Sequence, residues 1–213
     1  MRPLATITLL ASAVLSAQAA GTVRIVTQDG AGAPVADAVV SVHPRDAPAP
    51  VHPPAEPVTI IQQDQEFSPY VTAIVAGTRI VFPNRDNVQH HVYSVSPAKR
   101  FEIPLYIGES TAAIVFDRAG VVTLGCNIHD WMVAYVVVLD TPYFAKTGAD
   151  GSANITGLAP GSYRLEVWHP RADKVERDVT VTEAADMTQV ISVVLRPNRR
   201  IRRAPDAGGA DYK

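Results

Sequence analysis

Three side chains that can bind a metal lie on a seven-residue stretch in the second half of the sequence. Cys126, the only cysteine among 213 residues, is followed by His129 and Met132 in the spacing Cys-x2-His-x2-Met. A thiolate and an imidazole bind copper strongly, whereas a thioether binds it as a weak axial ligand. With one further imidazole these side chains would form a mononuclear copper site. The pattern therefore predicts that residues 126–132 supply most of such a site.

The second imidazole has two candidates, His90 and His91, in the polar segment 84–92. Adjacent residues of a strand point to opposite faces, so only one of them can face the other ligands. The second histidine would then lie near the surface or offer its backbone N–H to the sulfur. The residues alone leave this choice open.

The first twenty residues have the pattern of an export signal. Arg2 gives a positive start, residues 4–15 are mostly apolar, and Ala17-Gln18-Ala19 is an A-x-A cleavage site. We expect cleavage after residue 19 or 20 and a periplasmic or otherwise exported product with no integral membrane segment. The alternative is that residues 1–20 remain as an uncleaved anchor.

The lone cysteine is unusual in an exported chain. Export favours disulfides, but a single cysteine cannot form one within its own chain. A free thiol in an oxidising compartment is oxidised unless it is buried or bound to a metal. This favours a ligand role for Cys126, and a buried, inert cysteine is the alternative.

The charges are unevenly placed along the chain. Residues 20–195 hold 19 acidic and 12 basic side chains, a net charge of −7, whereas 196–213 hold 6 basic and 2 acidic ones, a net charge of +4. No part has the basic, aromatic composition of a nucleic-acid binding domain. We expect residues 197–213 to be a disordered basic tail, although their arginines could also meet an anionic membrane surface or an acidic partner.

Strand signals dominate the sequence and predict an all-β protein. Short runs of Val, Ile, Thr and Tyr alternate with Gly, Pro, Asn and Asp, as is typical of β-sandwiches. The composition divides the chain after the signal into strands at 21–43, an extended and exposed Pro-rich linker at 44–57, a middle block at 58–140 that contains the metal-binding motifs, and further strands at 141–196.

The blocks on either side of the middle block resemble two parts of one carboxypeptidase regulatory-like domain. The resemblance rests on residues 21–40, with their turn at Asp29-Gly30, and on Asp150-Gly151, residues 155–158 and Pro160-Gly161. It implies a smaller transthyretin/Ig-like β-sandwich that is not an enzyme. The middle block would then be inserted between its second and third strands, which an exposed loop tolerates when its two ends lie close together.

The middle block resembles the cupredoxins, and among them plastocyanin and amicyanin. Phe67-Ser68-Pro69, the run 75–82 and Asn84 precede the histidine pair, and Phe116-Asp117 leads towards the Cys-x2-His-x2-Met loop. The resemblance implies a cupredoxin Greek-key β-sandwich with one type 1 copper ion. The ligands that it implies are His90, Cys126, His129 and Met132.

Two residues depart from the plastocyanin pattern. Gly125 stands where those proteins have an aromatic residue before the ligand cysteine, which argues against an electron route through a tyrosine at that position. His91 stands where the residue after the first ligand histidine is usually Asn, which alters the hydrogen bonding around the sulfur. Neither change removes a ligand.

The resemblance implies a periplasmic carrier of single electrons that is not itself an enzyme and that exchanges electrons through the edge of His129. Chains of this layout are similar to proteins labelled methylamine utilisation proteins, which suggests an amine-oxidising enzyme or a c-type cytochrome as redox partner. We expect a monomer. The alternatives are a copper transport or storage protein and a metal-free scaffold with a cupredoxin core. His169 is expected to be structural, and His43 and His52 are expected in solvent.

Overall fold

The computed structural model describes residues 21–109, 112–182 and 186–198. In these residues seventeen strands and no helix are found, so the all-β prediction is confirmed. Nothing in the described ranges is a helix long and apolar enough to span a membrane. The predicted export signal and the arginine cluster from Arg199 onward lie outside the described residues.

The strands are short, as the spacing of turn residues predicts. In chain order they are β1 (Gly21–Gln28), β2 (Val39–Pro44), β3 (Val58–Thr59), β4 (Ile61–Gln63), β5 (Glu66–Ser68), β6 (Val71–Val75), β7 (Thr78–Val81), β8 (His90–Ser96), β9 (Lys99–Tyr106), β10 (Ile114–Phe116), β11 (Gly120–Gly125), β12 (Val133–Leu139), β13 (Phe144–Lys146), β14 (Ser152–Leu158), β15 (Gly161–Trp168), β16 (Val175–Val181) and β17 (Asp186–Ser192).

The first two strands and the last five form one sandwich. Its sheets have the strand orders β14-β1-β17 and β13-β2-β15-β16. In β1 apolar and polar residues alternate, and Val23 and Ile25 on one face are fully buried. They share a core with side chains from the C-terminal strands, among them Ile155, Leu165 and Ile191. The chain segments before and after the middle block therefore bury their apolar faces against each other.

Gly151 lies at a close approach between these two segments. Its φ is +72°, and a Cβ built on it would come within 2.4 Å of the carbonyl oxygen of Thr27. The backbone N–H of Thr27 donates to the carbonyl of Gly151 at 2.8 Å. A side chain here would meet both the unfavourable left-handed backbone and a fixed carbonyl. The turn at Asp150-Gly151 thus needs its glycine.

The middle block forms the second sandwich. Its five-stranded sheet has the order β6-β12-β11-β8-β9, and β10-β7-β3 and the β4-β5 hairpin lie in separate sheets. The two larger sheets enclose a core that is shielded from water. Among its members are Ile60, Phe67, Ile80, Phe82, Val92, Phe116, Val122, Leu124, Cys126, Met132, Ala134 and Val136.

The order of strands in the five-stranded sheet brings the predicted ligands to one end. β11 runs antiparallel to both β8 and β12, and Gly125 at its end pairs with Tyr93 of β8. The connection from β11 to β12 holds residues 126–132, and β8 begins at His90. The segment that carries the histidine pair and the loop that carries the cysteine therefore meet at the same end of the sheet.

A small apolar cluster joins the two sandwiches. Val39 of the first sandwich is buried with Val71, Val137 and Leu139 of the second. His43 lies beside this cluster with its Nδ1 3.2 Å from Oδ1 of Asp140 and a side chain that is 15% exposed. The prediction that His43 lies in solvent is wrong, because it continues β2 into this junction.

The segment that follows β2 contains no strand between residues 45 and 57, and its residues are mostly exposed. His52 within it is exposed, as predicted. Proline cannot donate to a sheet, which explains why this Pro-rich stretch stays outside both sandwiches.

Candidate metal centre

The loop between β11 and β12 is held in a compact turn. The backbone N–H of Met132 donates to the carbonyl of His129 at 2.9 Å. The indole N–H of Trp131 donates to the carbonyl of Gln65 at 3.1 Å, and the Trp131 ring centroid lies 5.2 Å from that of His129. The loop is therefore tied to the β4–β5 hairpin, and Trp131 packs against a predicted ligand.

Three predicted ligands converge at this end of the sheet. His90, Cys126 and His129 place one potential ligand atom each within 4.8 Å of the other two. The two Nδ1 atoms lie 3.1 Å apart, and Sγ of Cys126 lies 3.8 Å from Nδ1 of His129. Ligands that each bind one metal ion at ~2.0–2.3 Å are themselves ~3–4.5 Å apart. The spacing of the three atoms therefore fits a single ion.

The donor types fit copper in particular. Two imidazole nitrogens and one thiolate sulfur form the trigonal His2Cys set of type 1 copper sites. His90 and Cys126 are buried, whereas His129 is partly exposed. Such a site excludes most of the surrounding water but leaves one ligand near the surface.

The structure separates the two adjacent histidines. The side chain of His90 faces Cys126, while His91 points to the other face and places its Nε2 2.9 Å from Oε1 of Glu102. The backbone N–H of His91 forms a hydrogen bond with the sulfur of Cys126. The residue that the cupredoxin resemblance selects is thus the one that the fold brings to the cysteine.

Met132, the predicted axial ligand, is fully buried. Its side chain belongs to the same apolar cluster as Cys126, and its backbone closes the ligand turn. The fold therefore buries Met132 in the core that also holds Cys126, and its backbone contacts His129.

A carboxylate that the sequence analysis did not assign holds His90 in place. Nε2 of His90 lies 2.6 Å from Oδ2 of Asp86. The carboxylate also accepts the backbone N–H groups of Asp64 at 2.7 Å and Gln65 at 2.9 Å. With Nε2 bound to Asp86, Nδ1 is the nitrogen of His90 that faces His129.

The surroundings favour the ionised sulfur. Burial raises the pKa of the Cys126 thiol, but a hydrogen bond with His90 lowers it, and the net pKa lies below its ordinary value. Three backbone N–H groups at the sulfur lower this pKa further. They belong to His91, Ile128 and His129. Metal binding requires the thiolate, so the protein has already reduced the cost of removing that proton.

The histidine and the carboxylate stabilise each other's charge. Burial lowers the pKa of His90, but hydrogen bonds with Cys126 and Asp86 outweigh it, and the net pKa is raised. Burial likewise raises the pKa of Asp86, whereas the hydrogen bonds with His90 and with the backbone of Gln65 and Asp64 leave it lowered. Asp86 is therefore an anion at neutral pH, beside the buried ring of His90.

The ring of Tyr93 lies against Gly125, the residue before the cysteine. A Cβ built on Gly125 would come within 3.0 Å of the ring of Tyr93, its partner on β8. The space beside Gly125 is thus filled from the neighbouring strand, which sequence order alone does not reveal.

His169 lies outside this centre. It is buried, and its Nδ1 accepts the backbone N–H of Arg171 at 3.2 Å in the turn after β15. Burial lowers the pKa of His169, so its ring is neutral at pH 7. The structural role that the sequence predicts agrees with this position.

Comparisons with known proteins give structural matches only. No protein-family model matches the sequence, and no curated protein matches it. Among solved structures, a purple cupredoxin from Nitrosopumilus maritimus is 26% identical, covers 38% of this chain and 99% of its own, and has a TM-score of 0.34. An amicyanin from Paracoccus versutus is 19% identical over 40% of this chain and 84% of its own, with a TM-score of 0.34.

A Cu-containing nitrite reductase from Thermus scotoductus also matches. It is 25% identical over 44% of this chain, with a TM-score of 0.37, and the match spans 25% of the reductase. Each of these alignments takes in less than half of the present chain.

Proposed function

We propose that this chain carries single electrons between redox proteins outside the cytoplasm, by means of one copper ion in the middle sandwich. The proposed ligands are His90, Cys126, His129 and Met132. When bound, copper supplies the redox chemistry, because it cycles between Cu(II) and Cu(I) by one electron. The observation that carries the proposal is the convergence of two imidazole nitrogens and the cysteine sulfur within 4.8 Å.

The surrounding fold suits electron transfer rather than catalysis. Cys126 and Met132 are fixed by the ends of two paired strands, and His90 is fixed by Asp86. A rigid scaffold changes little when the charge of the site changes, so little reorganisation accompanies electron transfer. The proposed function needs no substrate cavity, and on this account the chain is not itself an enzyme.

Electrons would pass through the exposed edge of His129. Four large apolar side chains near this end of the sandwich are exposed, and together we call them the apolar rim. They are Val88 at 36%, Leu105 at 45%, Ile107 at 55% and Ile128 at 48%. Exposed apolar side chains that cluster on one surface are typical of sites where another protein docks.

Exposed carboxylates near the rim favour a basic partner. Asp64 and Glu66 lie on the hairpin that contacts the ligand loop, and Asp130 lies within the loop itself. Negative charges around a docking site speed the approach of a positively charged protein. We therefore propose that the partner is a basic redox protein. It could be a basic c-type cytochrome or an amine-oxidising enzyme with a basic docking face.

A docking role for the rim predicts a large effect from one surface substitution. Ile128→Lys places a positive charge in the rim, which would repel a basic partner, and should slow electron transfer to a basic c-type cytochrome about tenfold, which corresponds to ~1.4 kcal/mol. The visible spectrum should not change, because the Ile128 side chain is 48% exposed and the sulfur is contacted by its backbone N–H. Stopped-flow mixing of the reduced, copper-loaded protein with oxidised cytochrome measures the rate.

Val95→Lys is the matched control for this experiment. Val95 is 73% exposed and lies on β8, five residues beyond His90. At ~3.3 Å per residue it is about 16 Å along the strand from the site, so its substitution should leave the rate unchanged. Equal slowing by both variants would contradict docking at the rim.

The alternative of copper transport or storage makes the opposite prediction for copper exchange. An electron carrier should give a reversible one-electron wave in voltammetry and keep its copper through many cycles in the presence of a chelator. A transport protein should lose its copper to the chelator on the same timescale. Loss of copper during cycling would therefore argue against electron transfer as the function.

A further inference from the structure

The strongest unexplained feature of the site is the short contact between Asp86 and His90. The bond is 2.6 Å long, and the two side chains are 12% and 0% exposed. Removing a carboxylate from water is costly unless hydrogen bonds compensate for it, and Asp86 has three partners, the backbone N–H groups of Asp64 and Gln65 and the His90 ring. We propose, on the basis of the copper site proposed above, that Asp86 is a positioning residue that stabilises Cu(II) over Cu(I) through His90.

The carboxylate is fixed independently of the metal. Asp64 and Gln65, whose φ values are +56° and +57°, form a tight turn between β4 and β5 that presents two successive backbone N–H groups. Both groups donate to Asp86, one to each carboxylate oxygen. Two left-handed residues in sequence are unfavourable, and the hydrogen bonds to Asp86 help to compensate for this cost.

The segment that carries Asp86 is fixed as well. Oδ1 of Asn84 accepts the backbone N–H of Asp86 at 2.9 Å. The amide nitrogen of Asn84 donates to the carbonyls of Val88 at 2.9 Å and Tyr106 at 2.8 Å. This closes residues 84–88 into a loop and anchors it to β9. Asp86 therefore holds His90 from a position that does not depend on copper.

This arrangement has two consequences for His90. First, the carboxylate accepts a hydrogen bond from Nε2–H, which directs the Nδ1 lone pair towards Cys126 and His129. Second, the anion increases the electron-donating strength of the ring, as partners of metal-bound histidines generally do. A negative charge behind a ligand stabilises the more highly charged metal ion, so Asp86 should lower the reduction potential.

Asp86→Asn tests this proposal because it removes the charge and keeps the size. The affinity for Cu(II) should fall about 10- to 100-fold, as for other partners of metal-bound histidines. The affinity for Cu(I) should fall less. Each tenfold difference between the two losses raises the potential of a one-electron couple by ~59 mV. Equal losses for both oxidation states, with an unchanged potential, would mean that Asp86 only holds the loop and would overturn the proposal.

Asp64→Asn is the matched control. It removes one negative charge from the same hairpin turn, but the Asp64 side chain is exposed and only its backbone contacts Asp86. Asn is also tolerated at positive φ. The potential of this variant should stay near that of the wild type. A rise equal to that of Asp86→Asn would show that general charge is responsible, and it would contradict a specific role for Asp86.

A measurement on the copper-free protein separates this inference from the proposed function. Long-range 1H–15N NMR correlations of His90 should show a proton on Nε2 in the wild type. A proton on Nδ1 alone would contradict the positioning role, whatever metal the protein binds. Wild-type protein that binds no copper would contradict the proposed function instead, while the NMR result would still test the orientation of the ring.

Discussion

Cys126→Ser should abolish the intense visible absorption that we expect from the copper-loaded protein. This absorption arises from charge transfer between a thiolate and Cu(II), and Cys126 is the only cysteine in the chain. Serine preserves the shape of the side chain but offers an alcohol, which is a far poorer ligand for copper at neutral pH. Absorption spectra of the two proteins with equal amounts of Cu(II) measure the effect.

Met132→Ala is the comparison for this experiment. A thioether is a weak axial ligand, so its loss should leave the protein coloured, with a shifted spectrum and an altered potential. Colour that survives Cys126→Ser would mean that the sulfur of Cys126 is not a ligand. Loss of all colour in Met132→Ala would mean that the methionine contributes more than an axial contact.

Leu124→Ala should cost about 2–5 kcal/mol of the free energy of unfolding, because a fully buried side chain would leave a cavity. Leu124 lies on β11, two residues before Cys126, in the core that also contains the cysteine and Met132. The loss is a large share of the ~5–15 kcal/mol that stabilises a typical domain. Urea unfolding of the copper-free protein measures it.

Leu105→Ala is the control for burial, since it makes the same chemical change at a side chain that is 45% exposed. Surface substitutions of this kind usually stay within about 0.5 kcal/mol. Similar losses for the two variants would contradict the position of Leu124 in the core. Wild-type stability in Leu124→Ala would contradict it as well.

Much of the fold and part of the candidate metal site can be predicted from the sequence. Alternating apolar residues such as Val23 and Ile25 predict strands directly, and the structure confirms an all-β chain. The spacing of Cys126 and His129 predicts two metal-binding atoms on one loop, and the fold brings them together with His90. These features depend on residue type and local spacing, which a sequence displays.

The features that the sequence analysis missed depend on contacts between distant strands. Asp86 lies in the polar segment 84–92, but its hydrogen bond with His90 depends on the path of that segment and on the β4–β5 turn. Tyr93 fills the space beside Gly125 only because β8 and β11 are neighbours. The spacing of residues along the sequence predicts neither of these two contacts.

His43 illustrates the same limit. Its neighbours in the sequence are the prolines of an exposed segment, which favours a position in solvent. The fold instead places it beside Asp140, which is almost a hundred residues away along the chain. The junction between the two sandwiches is formed by residues from both, so neither segment alone reveals that His43 is largely buried.

The most direct test of the central claim is a titration of the metal-free protein with Cu(II), followed by visible absorption. If His90, Cys126 and His129 bind one ion together, an intense band should grow linearly and reach its maximum at one copper per chain. A colourless protein, or a band that continues to grow well beyond one equivalent, would contradict a single copper site at these residues.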